Sequence, residues 1–142
     1  MYEPPKRRKL TKSEREKVHA ICGGRCAYCG AQIALDDMQV DHVIPMLFFE
    51  LYQAEGFDLD TMDNFLPACR ICNHYKSTLT VEKFRYSIER LPYALVRDSS
   101  AFRRALRFGL VWNIGRKVQF YFEERGVKVP SLEWRKNDES NT

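Results

Sequence analysis

Four of the five cysteines stand in two pairs, Cys26-Ala-Tyr-Cys29 and Cys69-Arg-Ile-Cys72. Two cysteines three residues apart can both reach one ion, from a tight knuckle or from the first turn of a helix, and zinc takes four thiolates at tetrahedral corners. Gly30 suits a knuckle after the first pair, because glycine tolerates positive φ. Residues 30–68 separate the pairs, more than the roughly 15–20 of a zinc ribbon. A hairpin plus a helix would fill that gap. Four protein thiolates close the coordination sphere, so this zinc would be structural and any catalysis must lie elsewhere. Cys22, at helical spacing from Val18, reads as core. The competing assignment makes Cys22 or His19 a ligand, but neither completes a second knuckle.

Between and just beyond the cysteines lie three further groups: Asp41-His42-Val-Ile-Pro45, Asp63-Asn64-Phe-Leu-Pro-Ala-Cys69, and Cys72-Asn73-His74-Tyr75-Lys76. Over Arg25–Ser77 this order of motifs resembles the HNH nucleases that carry flanking CxxC pairs. The resemblance implies a ββα-metal core, a hairpin and helix around one catalytic metal. It also implies endonuclease activity on DNA. Carried over by position, His42 matches the general base, and Asp41 and Asn73 match ligands of the catalytic metal. Asn64 matches the middle asparagine, which holds the loop and orients the base. The third motif letter is Asn rather than His. The Gly-Gly loop often found after the first box is replaced by an insertion, Met46–Gly56.

The residue types suit that chemistry. A neutral imidazole with a pKa near roughly 6.5 can take a proton from water at neutral pH. The oxygen donors of Asp41 and Asn73 suit Mg²⁺ or Mn²⁺ rather than zinc. Two chemically distinct metals are therefore expected. Lys76, three residues past Asn73 on one helix face, is expected to contact a phosphate. Arg25 and Arg70 flank the knuckles and are further candidates for contacting nucleic acid. His74 reads as an exposed helix residue, and Phe48, Phe49 and Tyr52 as core. Neighbours on a regular strand point to opposite faces, so the strand is expected to end or bend at Asp41 and His42.

The elements that must position these groups follow from periodicity and caps. Thr11 with Glu14, or Ser13 with Glu16, offers a capping box for a helix running to about Cys22, with Val18, Ile21 and Cys22 buried and Gly23-Gly24 ending it. Met38–Val40 reads as a short strand, and residues 46–55 as an inserted helix ended by Gly56. A helix starts within Cys69–Cys72 and runs through Lys76. Val81, Phe84, Ile88 and Leu91 recur at helical spacing until Pro92. Ser99 and Ser100 can cap a further helix with Phe102, Ala105 and Leu106 inward and Arg103, Arg104 and Arg107 outward. Val118–Phe122 and Val127–Val129 read as a hairpin around Glu-Glu-Arg-Gly. The fold class is α+β. Residues 1–10 form a flexible basic arm, 11–135 a single domain and 136–142 a polar disordered tail.

At 142 residues, 44% hydrophobic and 30% charged, the chain has the composition of one ordinary globular domain. Its core is small enough to gain from a metal clip. The net charge of +4 is compatible with a polyanionic partner. No apolar run is long enough for a membrane span, and Met-Tyr-Glu-Pro-Pro opens no secretory leader. The expectation is a cytoplasmic protein without membrane contact. Its oligomeric state, target site and strand preference are not readable. The alternative reading, from another class, is a non-catalytic zinc module that binds DNA or a partner protein. The joint presence of Asp41, His42 and Asn73 favours the enzyme.

Overall fold

The computed structural model describes residue 3, residues 5–112 and residues 114–130. The tail expected at 136–142 lies outside them. Helix α1 (Lys12–Ile21) starts at the capping box of Thr11 and Glu14, where the Thr11 hydroxyl accepts from the Glu14 amide and the Glu14 carboxylate from the Thr11 amide. Strand β1 (Gln39–His42) pairs antiparallel with β2 (Phe65–Ala68), Asp41 opposite Leu66 and His42 opposite Phe65. Helix α3 (Arg70–Lys76) follows β2 directly. The expected strand at Met38–Val40 is shifted, so β1 carries both Asp41 and His42.

A two-stranded sheet is marginal in isolation, and this one is covered on both faces. Side chains alternate along a strand. Phe65 joins Val18 and Met38 against α1, whereas Leu66 and Ala68 join Cys22, Cys26, Tyr28, Phe84, Phe120 and Phe122 on the other face. Every residue of β2 is buried as a result. The free edge of β2 is met by the first cysteine knuckle, where the Ala27 amide donates to the Pro67 carbonyl at 2.8 Å.

The connection between the strands has a small core of its own. A 3₁₀ turn at Met46–Phe48 leads into α2 (Phe49–Gln53), and Gly56, at φ 84°, ends the helical stretch. Ile44, Met46, Tyr52 and Leu59 pack together there with Phe48 and Phe49, as the core reading of these aromatics anticipates.

Helix α4 (Val81–Glu89) is capped by the Thr80 hydroxyl, and α6 (Ser100–Arg107) by that of Ser99. Two expectations in the C-terminal third are corrected. Pro92 does not merely end a helical segment: it sits in the first turn of another helix, α5 (Leu91–Asp98), where its missing amide hydrogen costs nothing. The hairpin over 118–129 does not form; Tyr121–Glu124 is a short helix, α7. The Tyr121 and Phe122 amides donate to the Tyr28 and Ala27 carbonyls of the first knuckle, at 3.2 and 2.7 Å, instead of to a second strand. Arg85 clamps the same segment, reaching the Val118 carbonyl and both Glu123 carboxylate oxygens. Tertiary partners thus decide against the strand that β-rich composition favours.

Candidate functional site

The first knuckle forms where the Cys26 and Ala31 backbones pair, Cys26 N to Ala31 O at 2.8 Å, and Gly30 returns its amide to the Cys26 carbonyl. Gly30 has φ 77°, the left-handed conformation that an L side chain resists. The second pair sits at the start of α3, where Cys69 is the N-cap and its sulfur accepts from the Cys72 amide at 3.3 Å. The Sγ atoms of Cys26, Cys29, Cys69 and Cys72 all lie within 4.8 Å of one another, with Cys29 and Cys69 3.9 Å apart. A tetrahedron with zinc–sulfur distances of about 2.3 Å has edges of about 3.8 Å. The thiols act on one another: the hydrogen bond from Cys72 leads in lowering the pKa of Cys26, while the same bond, then burial, raises that of Cys72. Four thiolates at this spacing repel one another, and a dication relieves that repulsion. The cluster can therefore hold zinc. Cys22 is fully buried in the core, and His19 bonds the Ile33 carbonyl, so neither joins the cluster.

Asn73 follows Cys72 by one residue, so the cysteine cluster sits at the start of the helix that carries it. A cavity of about 190 Å³ lies beside α3 and the end of β1, and its lining includes Asp41, His42, Asn73, Ser77, Pro45 and Arg7. Three candidate catalytic residues from two elements thus meet at one cavity. The strand ends at His42, one of the two outcomes expected there, and the two side chains take different partners.

Asp41 is buried and held from two sides. The Tyr28 hydroxyl donates to its Oδ2, and the Lys76 ammonium stands 3.3 Å from Oδ1 and 3.1 Å from Oδ2. Burial pushes the Asp41 carboxyl above its usual range against the pull of Lys76, and it pushes the Lys76 ammonium below its own. Lys76 is fully buried and also donates to the His42 carbonyl at 3.0 Å. The phosphate contact expected of Lys76 is therefore corrected: its ammonium is turned inwards onto β1, because an unpaired buried carboxylate would be far more costly than a paired one.

His42 is 5% exposed, its ring set edge-on to Phe65 at 5.0 Å. Its Nε2 lies 2.9 Å from Asp60 Oδ1, whereas its buried Nδ1 has no hydrogen-bond partner among the described residues. An ionised carboxylate only accepts hydrogen bonds, which assigns the proton of the neutral ring to Nε2 and the lone pair to Nδ1. Burial lowers the pKa of His42, opposed by the bond to Asp60. Burial thus favours the neutral imidazole.

Asn64 is 2% exposed and pins the loop after β1: its Oδ1 accepts from the Ile44 amide at 2.9 Å, and its Nδ2 donates to the carbonyls of Ile44 and Leu59. Arg25 staples the first knuckle by donating to the Gly30 carbonyl at 2.9 Å. Arg70 and His74 are exposed on α3. Tyr28 and Asp60 went unnoticed in the sequence. Neither stands at a motif position, and no spacing signals that an aspartate 18 residues from a histidine will meet it.

Asp41 and Asn73 fit a hard cation. Both are oxygen donors bordering one cavity, and a carboxylate offers about four lone-pair sites, not all of which Tyr28 and Lys76 can use.

Residues 26–78 match the HNH endonuclease family. The HNH segment runs from the first knuckle to just beyond α3 and holds both cysteine pairs, Asp41, His42, Asn64 and Asn73. It covers less than half of the chain; α1 and α4–α7 lie outside it. Its element order, β1, β2 and α3, matches the ββα arrangement expected from the motifs. The family ties this segment to nuclease or other nucleic-acid-related function. No curated protein gives a significant match to the chain.

Proposed function

We propose that this protein is an endonuclease that hydrolyses phosphodiester bonds in DNA, with His42 as the general base. One observation supports the reading above others: the buried imidazole bordering the Asp41–Asn73 cavity has its basic nitrogen, Nδ1, without a partner among the described residues. In the reaction Nδ1 accepts a proton from a water as its oxygen attacks phosphorus, and the 3′-oxygen departs. Asp41 and Asn73 would hold a Mg²⁺ or Mn²⁺ ion, which supplies charge neutralisation at the phosphoryl group. Asn64 keeps the loop beside His42 in place. Arg7, on the cavity wall, provides a positive charge toward the phosphate backbone. Zinc on the four cysteines is structural.

A second reading, a non-catalytic zinc module that binds nucleic acid or protein, draws on the Asp41–Lys76 pair, which already neutralises the one carboxylate of the candidate metal site. Plasmid cleavage with Mg²⁺ or Mn²⁺ separates the two, using wild-type protein and His42→Ala with bound zinc verified in both. Cleavage by the wild type, reduced at least about 100-fold in His42→Ala, is the expected outcome. Equal cleavage by both proteins rules out His42 as the base. Binding of DNA without cleavage by either supports the binding module.

A further inference from the structure

We propose that Asp60 is a positioning residue for His42, and that Arg8 of the N-terminal segment holds Asp60 in place. The inference rests on the nuclease reading and adds two residues outside the family motif. Asp60 sits near the end of the long β1–β2 connection. Its side chain is 11% exposed, and its Oδ1 takes the Nε2 hydrogen of His42. The other oxygen, Oδ2, accepts from the Arg8 backbone amide at 2.8 Å, and the Asp60 carbonyl accepts from Arg8 Nε at 3.1 Å. The Asp60 amide donates to Asp58 Oδ1 at 2.8 Å. Arg8 Nη1 meets Glu14 at 2.7 Å, the same glutamate that closes the capping box of α1. A continuous series of hydrogen bonds therefore runs from the start of α1 through Arg8 and Asp60 to the imidazole.

The geometry favours one ring state. With Phe65 edge-on at 5.0 Å, the imidazole has two flip states. Only one presents an N–H to Asp60, and that state leaves the Nδ1 lone pair for a water. A flip would turn ring C–H toward the carboxylate and strip it of its partner, which is costly for a group so little exposed. The Arg8 contacts also bear on the basic arm expected at residues 1–10: at Arg8 the segment is bonded to the body of the protein.

The test uses the full, zinc-loaded chain and plasmid cleavage in Mn²⁺, with Asp60→Ala, Asp60→Asn, Arg8→Ala, His42→Ala and the Asp60→Ala/His42→Ala double variant. Asp60→Ala is expected to lower kcat about 10- to 100-fold with little change in KM, the size of loss that removing the outer hydrogen-bond partner of a metal-ligating histidine brings. Asp60→Asn, which still offers an oxygen to Nε2–H, should recover much of that loss. Arg8→Ala, which keeps the backbone amide, should fall between Asp60→Ala and the wild type. In the His42→Ala background the Asp60 change should add nothing, because the two act as a unit. Full kcat in Asp60→Ala, or the same fold-loss with and without His42, overturns the proposal. Nitrogen-15 spectra of labelled histidine supply a readout independent of activity: a hydrogen-bonded Nε2 proton in the wild type, lost in Asp60→Ala. A wild type that does not cleave sinks the nuclease reading instead, and a His42→Ala variant that cleaves normally removes His42 as its base. The spectra then decide on the clamp alone, and a His42 ring protonated at Nδ1 refutes it.

Discussion

A carboxylate that is to hold a metal must first exist as a stable group in the folded protein. Asp41 is 4% exposed, and its charge is matched by Lys76 at 3.1 Å. Removing one partner of a buried pair leaves an uncompensated charge and typically costs about 3–5 kcal/mol, whereas removing both is often close to neutral. Lys76→Met is therefore expected to lower stability by roughly that amount, and Asp41→Asn/Lys76→Met to regain most of it while remaining inactive. Urea denaturation of the two single variants and the double variant checks this as a double-mutant cycle. A Lys76→Met variant within about 1 kcal/mol of wild type would mean that Asp41 is held by something other than the ion pair.

Among the elements, the short helix α3 joins the cysteine cluster to the candidate catalytic residues. Its N-cap is Cys69, Cys72 lies in its first turn, Asn73 comes next and Lys76 ends it. Ser77 terminates it at φ 47°, a conformation uncommon for a residue with a side chain. A seven-residue helix has little intrinsic stability, and a metal bound by the cysteines at its start would contribute to its formation. Cys69→Ser is expected to lose zinc, to melt at lower temperature and to lose cleavage, although Cys69 touches neither Asp41 nor His42. Zinc content, thermal unfolding and plasmid cleavage measured on one preparation check it. Cleavage that survives the loss of zinc would show that the helix start is set without the ion.

Across the whole molecule, the helices outside the HNH segment, α1 and α4–α7, carry no recognised motif. Arg103, Arg104 and Arg107 are exposed on α6, and Arg103 donates to the Val96 and Arg97 carbonyls of α5. If this face meets the nucleic-acid backbone, Arg104→Gln/Arg107→Gln should weaken binding alike for all sequences. The slope of log K against log salt should then fall by about 0.9 per arginine on duplex DNA. Fluorescence anisotropy at a series of salt concentrations measures it. An unchanged slope assigns the arginines to a solvated face.

The metal cluster and the three motif groups were legible in the residue order because their chemistry depends on local spacing. A CxxC pair makes a knuckle or a helix start wherever it falls, and Cys69 and Asn73 share one short helix. The capping box of Thr11 and Glu14 and the Ser99 cap were of the same local kind. What depends on contacts across the chain was not legible. The direction of Lys76, the Tyr28 hydroxyl on Asp41 and the carboxylate of Asp60 on His42 arise only once β1, α3 and the long connection pack together. The same holds for 118–129, whose apolar alternation fits a hairpin until the Ala27 and Tyr28 carbonyls and Arg85 take its donors and acceptors. Sequence alone determined which groups could do chemistry, because residue type and near spacing decide that. The tertiary structure alone decided which of them are charged, paired and aimed, because burial and distant partners set those properties.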